Sequence, residues 1–245
     1  FNTGKDITQF SGFTLKQYQR LFQDRTLLGL LGNSLLVSVL ASLIATVFGT
    51  LSAVGINNLN PKLRKVAMTL TDIPMTNPDI VTGVSLSLLF VFVGTKMLGQ
   101  RNSLTFWTLL IAHITFNLPY VILNVMPKFR QMDPNLFEAA QDLGCSPFTA
   151  LRKVILPEIM PGVVSGFLMS FTFSLDDFVI SYFTSGSTSQ TLPITIYSMT
   201  RRKISPEINA LSTLIFVVVV IVLVVKHIIE TKQEQRNRAN GGDEE

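Results

Sequence analysis

The chain is 245 residues long, 47% hydrophobic and only 15% charged, with a net charge of +4 and a mean hydropathy of +0.41. Soluble domains carry about 25% charged residues, so this composition points to a membrane protein. The single cysteine, Cys145, excludes an internal disulfide or a CxxC metal site, the two histidines cannot build a metal cluster, and no basic stripe suited to nucleic acid is visible.

The chain opens at Phe1 with neither an initiator methionine nor a signal sequence, which reads as a chain whose true beginning is missing. Five apolar runs then follow, each near the roughly 20 residues a helix needs to cross a bilayer. They are Leu28–Ile56, Asp72–Val93, Leu104–Met126, Pro157–Phe183 and Ile208–Ile229. The first carries Ser34, Ser38, Ala45, Gly49 and Ser52 on one side, small residues that permit close helix packing. In the second, Asp72, Thr76, Asp79 and Gly83 share a face, and Pro74 and Pro78 must bend or interrupt the helix. Asp79 fits two readings, a cap on the helix restarting after that break or a substrate contact.

The third run places His113, Asn117, Tyr120 and Asn124 on one face, at i, i+4, i+7 and i+11. Lining a path and hydrogen bonding between helices both fit this stripe. In the fourth, Gly166, Ser170, Ser174, Asp177, Ser181 and Thr184 fall within about 80° of one another on a continuous helix. Asp176 points about 100° away from Asp177 on the same projection. Asp177, Asn117, Tyr120, Ser174 and Ser181 are therefore the candidate path residues, and Asp176 is expected to bond to a neighbouring helix. Trp107 and Tyr182 suit either interfacial anchors or stacking partners for a cation.

Between the third and fourth runs lies a polar stretch, residues 127–156. "DPNLFEAAQDLG" reads as a short amphipathic helix that Asp133 or Asn135 can cap, with Gly144 in the left-handed C-terminal position. Ser146 and Pro147 then open a second helix. Two readings fit, an ordinary helical hairpin or a surface helix that docks in a partner's groove. Beyond the last run, the tail "TKQEQRNRANGGDEE" (Thr231–Glu245) is charged and expected to be disordered. Eleven of the twenty Lys and Arg residues fall on the side that holds residues 127–156 and the tail, nine on the other, a faint bias that makes the first side cytoplasmic.

Glu138, Ala139, Ala140, Gly144, Val154, Leu156 and Pro157 reproduce the spacing of a signature loop: Glu-Ala-Ala, three residues, Gly, nine residues, an aliphatic, one residue, Leu-Pro. In this the chain resembles the ABC-importer permeases, with Val154 where isoleucine is usual. "NSLLVS", "NPDIVTGVSLSLLF", "SFTFSLDDFVISYFTSG" and "SPEINALST" extend the resemblance over almost the whole chain, toward the spermidine/putrescine branch of that family. The resemblance implies an all-α integral membrane protein of the type I ABC-importer permease fold. It implies six spans, of which five are visible and the first is expected to be absent here. It implies an extracytoplasmic segment 1–27, a permease domain 28–230 with a cytoplasmic coupling loop 127–156, and a cytoplasmic tail 231–245.

It further implies a multi-pass subunit of the cell membrane that is not itself an enzyme. Glu138, Ala139, Ala140, Gly144, Leu156 and Pro157 would couple it to a cytoplasmic ATPase dimer, which would hold the ATP and Mg; no cofactor belongs to this chain. A homologous permease, an extracytoplasmic binding protein, membrane lipid and a polyamine substrate complete the implied partners, and nucleic acid is not among them. The first four span interiors contain no Lys or Arg, which suits a cationic substrate better than an anionic one. Rival readings are a permease for another organic cation or an amino-acid-like solute, a proton-coupled secondary transporter using Asp177, and an intramembrane enzyme. The secondary transporter leaves the Glu138–Gly144 loop unexplained, and no paired motif supports catalysis by His113 and the aspartates.

Overall fold

A computed structural model describes residues 12, 14, 19, 22–97, 99, 103–187, 189–200 and 206–241; of 199–200, 206–211, 229–230 and 233–241 only the backbone is described. The described residues are almost entirely helical and contain no strand. Among the described residues the helices with full bounds are, in order, α1 Arg25–Asn57, α2 Pro61–Thr76, α3 Asp79–Phe92, α4 Phe106–Gln131, α5 Leu136–Asp142, α6 Pro147–Ala150, α7 Leu156–Asp176, α8 Val179–Thr184, α9 Leu192–Thr200 and α10 Pro206–Gly241. Wider π-type turns extend α3 over Val93–Met97 and join α6 to α7 over Leu151–Ile155. Among the described residues four stretches are long and apolar enough to cross a membrane: Arg25–Asn57, Asp79–Met97, Phe106–Gln131 and Pro147–Asp176. A fifth apolar stretch, Ser212–Ile228, lies inside α10.

Three expectations are corrected. The second span begins at Asp79, because Asn77–Pro78 ends α2, and Asp72 and Thr76 belong to that separate amphipathic helix. Proline disfavours the helical region for the residue before it, and Asn77 is extended at φ −80°, ψ 136°. The fourth span does not run unbroken to Phe183: α7 ends at Asp176 and α8 starts afresh at Val179. The backbone stays helical through Gly241, past the point where the charged tail was expected to lose order, and 242–245 lie outside the described residues. Most of the segment 1–27 also lies outside them. Asp24 is described, and its carboxylate accepts the amides of Thr26 and Leu27, capping α1 at 2.9 and 3.2 Å.

The chain divides into two compact units. The first gathers Phe1–Val39, Asp79–His113 and Leu175–Val222. Within it α3 packs closely on α8. Gly83 makes this possible, since a Cβ there would lie 3.1 Å from the Phe183 ring and 3.4 Å from the Ile180 backbone. The Ser34 hydroxyl accepts the Leu192 amide at 2.7 Å, and the Asn33 side chain donates to the Gln190 carbonyl at 2.8 Å. These bonds fix the start of α9 against α1, beside an apolar contact of Leu27, Leu30, Leu31 and Ile196.

The second unit gathers Leu40–Pro78, Ile114–Ser174 and Leu223–Glu245. Its core holds Ala45, Ala53, Val121, Ile122, Val125, Met126, Phe129, Ile155 and Ile159. Small residues let the helices close up, as the first span's pattern suggests. A Cβ on Gly49 would lie 2.7 Å from the Val121 side chain, and one on Gly166 would lie 3.1 Å from the Val121 Cα. The Arg64 guanidinium donates to the Asn57 carbonyl and so satisfies the C-terminal end of α1.

Candidate functional site

The polar stripes on the third and fourth runs meet each other inside the chain. In the first unit His113 Nε2 lies 3.0 Å from the Ser181 hydroxyl and 3.6 Å from the Asp177 carboxylate, and the Thr108 hydroxyl donates to the Thr184 carbonyl at 3.0 Å. In the second unit Asn117 donates to the Ser174 hydroxyl at 2.7 Å, and Gly162 and Gly166 abut Val125 and Val121. In both units the partners on α4 run in the opposite order to those on α7 or α8, as antiparallel packing requires. Ser170, Ser174, Ser181, Thr184, His113 and Asn117 are all buried. The stripe expected to face a watery path is thus engaged in interhelical contacts. Tyr120, the remaining path candidate, is half-buried in an aromatic group with Phe116 and Phe173, at ring distances of 5.3 and 4.5 Å.

The two adjacent aspartates occupy opposite ends of a helix break. Asp177 Oδ1 accepts the Ile180 amide at 3.2 Å and Oδ2 the Ser181 amide at 2.7 Å, so the carboxylate caps the first turn of α8. There the orphan amides and the positive end of the helix favour an anion. Asp176 is the last residue of α7, where the orphan groups are carbonyls and the helix end is negative. It is exposed and makes no hydrogen bond or ion pair among the described residues. The expectation that Asp177 lies on an open stripe and that Asp176 bonds to a neighbouring helix is therefore reversed in geometry. It followed from projecting one continuous helix through a break at Asp177–Phe178.

Asp176 borders a cavity of about 500 Å³ in the first unit, walled by Phe178, Tyr197, Ile196, Ile215 and Phe216. Phe178 lies 4.3 Å from the Tyr197 ring and 5.6 Å from Tyr182. A second cavity of similar size shares Phe178 and Tyr197 and adds Ile80, Val179, Tyr182 and Phe183. Tyr182 is thus on a cavity wall, whereas Trp107 is exposed and touches only Phe106 among described rings, at 5.9 Å. Sequence reasoning missed Tyr197 and Phe216, whose clustering with Phe178 is tertiary.

The signature loop lies in the second unit. Glu138, Ala139 and Ala140 sit on α5, and Gly144 follows at φ +85°. The Cys145 amide reaches back to the Ala140 carbonyl at 3.1 Å and the Gly144 amide to Gln141 at 2.8 Å, the two bonds of a Schellman ending. The expected left-handed glycine is present, and Ser146 accepts the Thr149 amide at 3.3 Å to start α6 behind Pro147. Ala140 is buried, while Glu138, Ala139, Gly144 and Pro157 are exposed and Leu156 is half-buried against the core. Leu143 and Phe148 project outward with 87% and 72% of their surface exposed, an apolar pair that lacks cover among the described residues. A cleft of about 480 Å³ beside the loop is lined by Arg64, Arg130, Phe137 and Glu138 among others.

Among the described residues, four apolar stretches of spanning length mark a multi-pass membrane protein. The chain belongs to the family of binding-protein-dependent transport system inner membrane components, whose model matches residues 45–238. It is 37% identical over 99% of its length to the spermidine/putrescine transport system permease protein PotC of Escherichia coli, of which it covers 88%. It is 39% identical to the Haemophilus influenzae protein of the same name, over 95% of this chain and 88% of that one. The putrescine transport system permease protein PotI of Escherichia coli is 36% identical over 97% of this chain and 85% of its own length. Among solved structures, a bacterial ABC transporter involved in the import of the acidic polysaccharide alginate superposes with a TM-score of 0.70 at 19% identity, covering 90% of this chain and 85% of that one. The inward-facing MetNI methionine ABC transporter gives 0.61 at 16% identity, covering 93% and 99%. Those structures share the fold, which is the type I importer permease fold expected from the loop.

Proposed function

We propose that this chain is a transmembrane subunit of an ATP-driven importer for polyamines. The observation that carries the reading is near-full-length identity of 36–39% to permeases named for spermidine and putrescine. An aromatic cavity with a carboxylate and no Lys or Arg on its wall supports a cationic substrate. The chain pairs with a homologous permease, receives substrate from an extracytoplasmic binding protein and leaves ATP and Mg to a cytoplasmic ATPase dimer. Residues 127–156 and the tail are cytoplasmic, and Glu138, Ala139, Ala140, Gly144, Leu156 and Pro157 present the docking helix to that ATPase. Asn117, Tyr120, Ser174, Ser181 and Asp177 frame the path by locking α4 to the helices that pack on it. The deciding experiment is uptake of labelled spermidine and putrescine into vesicles carrying the complete complex. Uptake that depends on both the binding protein and ATP is expected; uptake of neither polyamine would refute the reading.

A further inference from the structure

We propose that the cleft beside the signature loop, between Arg64 and Arg130, holds the phosphodiester headgroup of a membrane phospholipid. The inference rests on the chain lying in a membrane and not on the cargo it carries.

Several features of the second unit converge there. The cleft of about 480 Å³ brings together Asn57 at the end of α1, Arg64 of α2, Arg130 of α4 and Glu138 of α5, with apolar walls of Val54, Phe137 and Leu151. Both α1 and α4 are long enough to cross a membrane, and Asn57 and Arg130 lie in their last turns. The cleft therefore stands at the level where those spans leave the bilayer, the depth of phospholipid headgroups. The Arg64 guanidinium donates to the Asn57 carbonyl, but its buried Nε has no hydrogen-bond partner. A buried donor left unpaired on a charged group costs free energy, and an acceptor in the cleft removes that cost. Arg130 is exposed and makes no hydrogen bond or ion pair among the described residues. Glu138 lines the same cleft yet pairs with neither arginine, so two guanidinium groups against one carboxylate leave a formal charge of +1. A phosphodiester carries one negative charge and offers the oxygens that planar guanidinium forks bind. A glycerol headgroup adds hydroxyls that donate to Glu138, and the apolar walls cover the first methylenes of the acyl chains. Basic pockets between spans at a membrane surface are suited to such headgroups. Inorganic phosphate offers the same charge to the arginines but nothing to Val54, Phe137 and Leu151.

The test uses protection of a thiol at the cleft. Asn58 is exposed and lines the cleft, so a Cys145→Ala, Asn58→Cys chain in the complete complex carries its one thiol there. Reaction with an uncharged maleimide is read on this chain after separation from its partners. In detergent without lipid the thiol should react readily, and dihexanoyl phosphatidylglycerol should slow it in a saturable way. Adding Arg130→Gln should raise the half-protecting concentration about tenfold, the size of one hydrogen-bonded charge contact, whereas Arg130→Lys should keep most of the protection. Arg130→Gln breaks no hydrogen bond among the described residues and should melt with the wild type, so weaker protection in it reports binding and not unfolding. Arg64→Gln, which also removes the bond to Asn57, should weaken protection further when combined with it. Protection that is unchanged in Arg130→Gln, or absent in the wild type, would overturn the inference. Equal protection by inorganic phosphate would identify a free-anion site and overturn the lipid. A thiol that stays unreactive in the complete complex without lipid would show that a protein partner fills the cleft, and would also overturn it.

Discussion

Removing the Asp177 carboxylate should destabilise the first unit, and removing Asp176 should not. In Asp177→Ala the amides of Ile180 and Ser181 lose their acceptors, and both residues are fully buried, so water cannot replace them. An N-terminal cap contributes about 1 kcal/mol, and a buried donor left unpaired costs about 1–3 kcal/mol. His113, 3.6 Å away, loses a charged neighbour as well. A total of about 3 kcal/mol follows, which for a chain of this size lowers the melting temperature by roughly 6–12 °C. Asp177→Asn keeps one acceptor and should lose about half as much. The measurement is thermal melting of the purified complex in detergent, followed by far-ultraviolet circular dichroism and by the fluorescence of Trp107, the sole tryptophan. Asp176→Ala serves as the comparison, since it breaks no hydrogen bond among the described residues. Equal melting of Asp177→Ala and wild type, or a larger drop in Asp176→Ala, would refute the assignment of the two carboxylates.

A Cβ on Gly144 meets no atom within 4 Å, so the penalty of Gly144→Val comes chiefly from the backbone strain of a β-branched residue at φ +85°, about 1–2 kcal/mol. Membrane insertion should be normal, and ATPase association measured by co-purification should fall, while Gly144→Asn should behave nearly as wild type. Gly162→Val forces a Cβ to 2.7 Å from the Asn124 carbonyl and 3.2 Å from the Val125 Cα, so α4 and α7 must separate at a cost of about 1–3 kcal/mol; an unchanged melting temperature would contradict the packing. Leu143→Ser with Phe148→Ser should leave melting unchanged within about 0.5 kcal/mol, because both side chains are exposed, yet reduce ATPase co-purification severalfold. With Asn237→Cys in a chain lacking Cys145, an impermeant thiol reagent added to intact cells should fail to label, and ready labelling would reverse the proposed orientation.

What the sequence disclosed well was local. Gly144, Ser146 and Pro147 declare a helix end and a helix start within three residues, because capping and left-handed backbone depend on neighbours in the chain. Span positions were likewise legible, since length and apolar content suffice, and the small-residue face around Gly49 correctly marked a tight contact with Val121. The faces of α4 and α7 were also legible as stripes. Which way a polar stripe points was not, because Asn117 and Ser174 satisfy each other only once two helices are placed side by side.

The aspartate pair marks where periodicity fails, and the reason is general. A 100° step per residue is valid only while the helix continues, and Asp177 is the type of residue that invites a new start by accepting amides ahead of it. Projected as one helix, "SLDDFVIS" sets Asp176 about 100° from Asp177 and puts Asp177 on the polar stripe. The break makes them chemically opposite. Asp177 faces the amide end of α8 and accepts two of its amides, while Asp176 closes the carbonyl end of α7, is exposed, and makes no hydrogen bond or ion pair among the described residues. Two adjacent carboxylates in an apolar setting therefore answer to different constraints. Fold stability should follow Asp177 and be nearly indifferent to Asp176. A double variant, Asp176→Asn with Asp177→Asn, should therefore melt as Asp177→Asn alone does. That separation would be absent if both carboxylates faced one path.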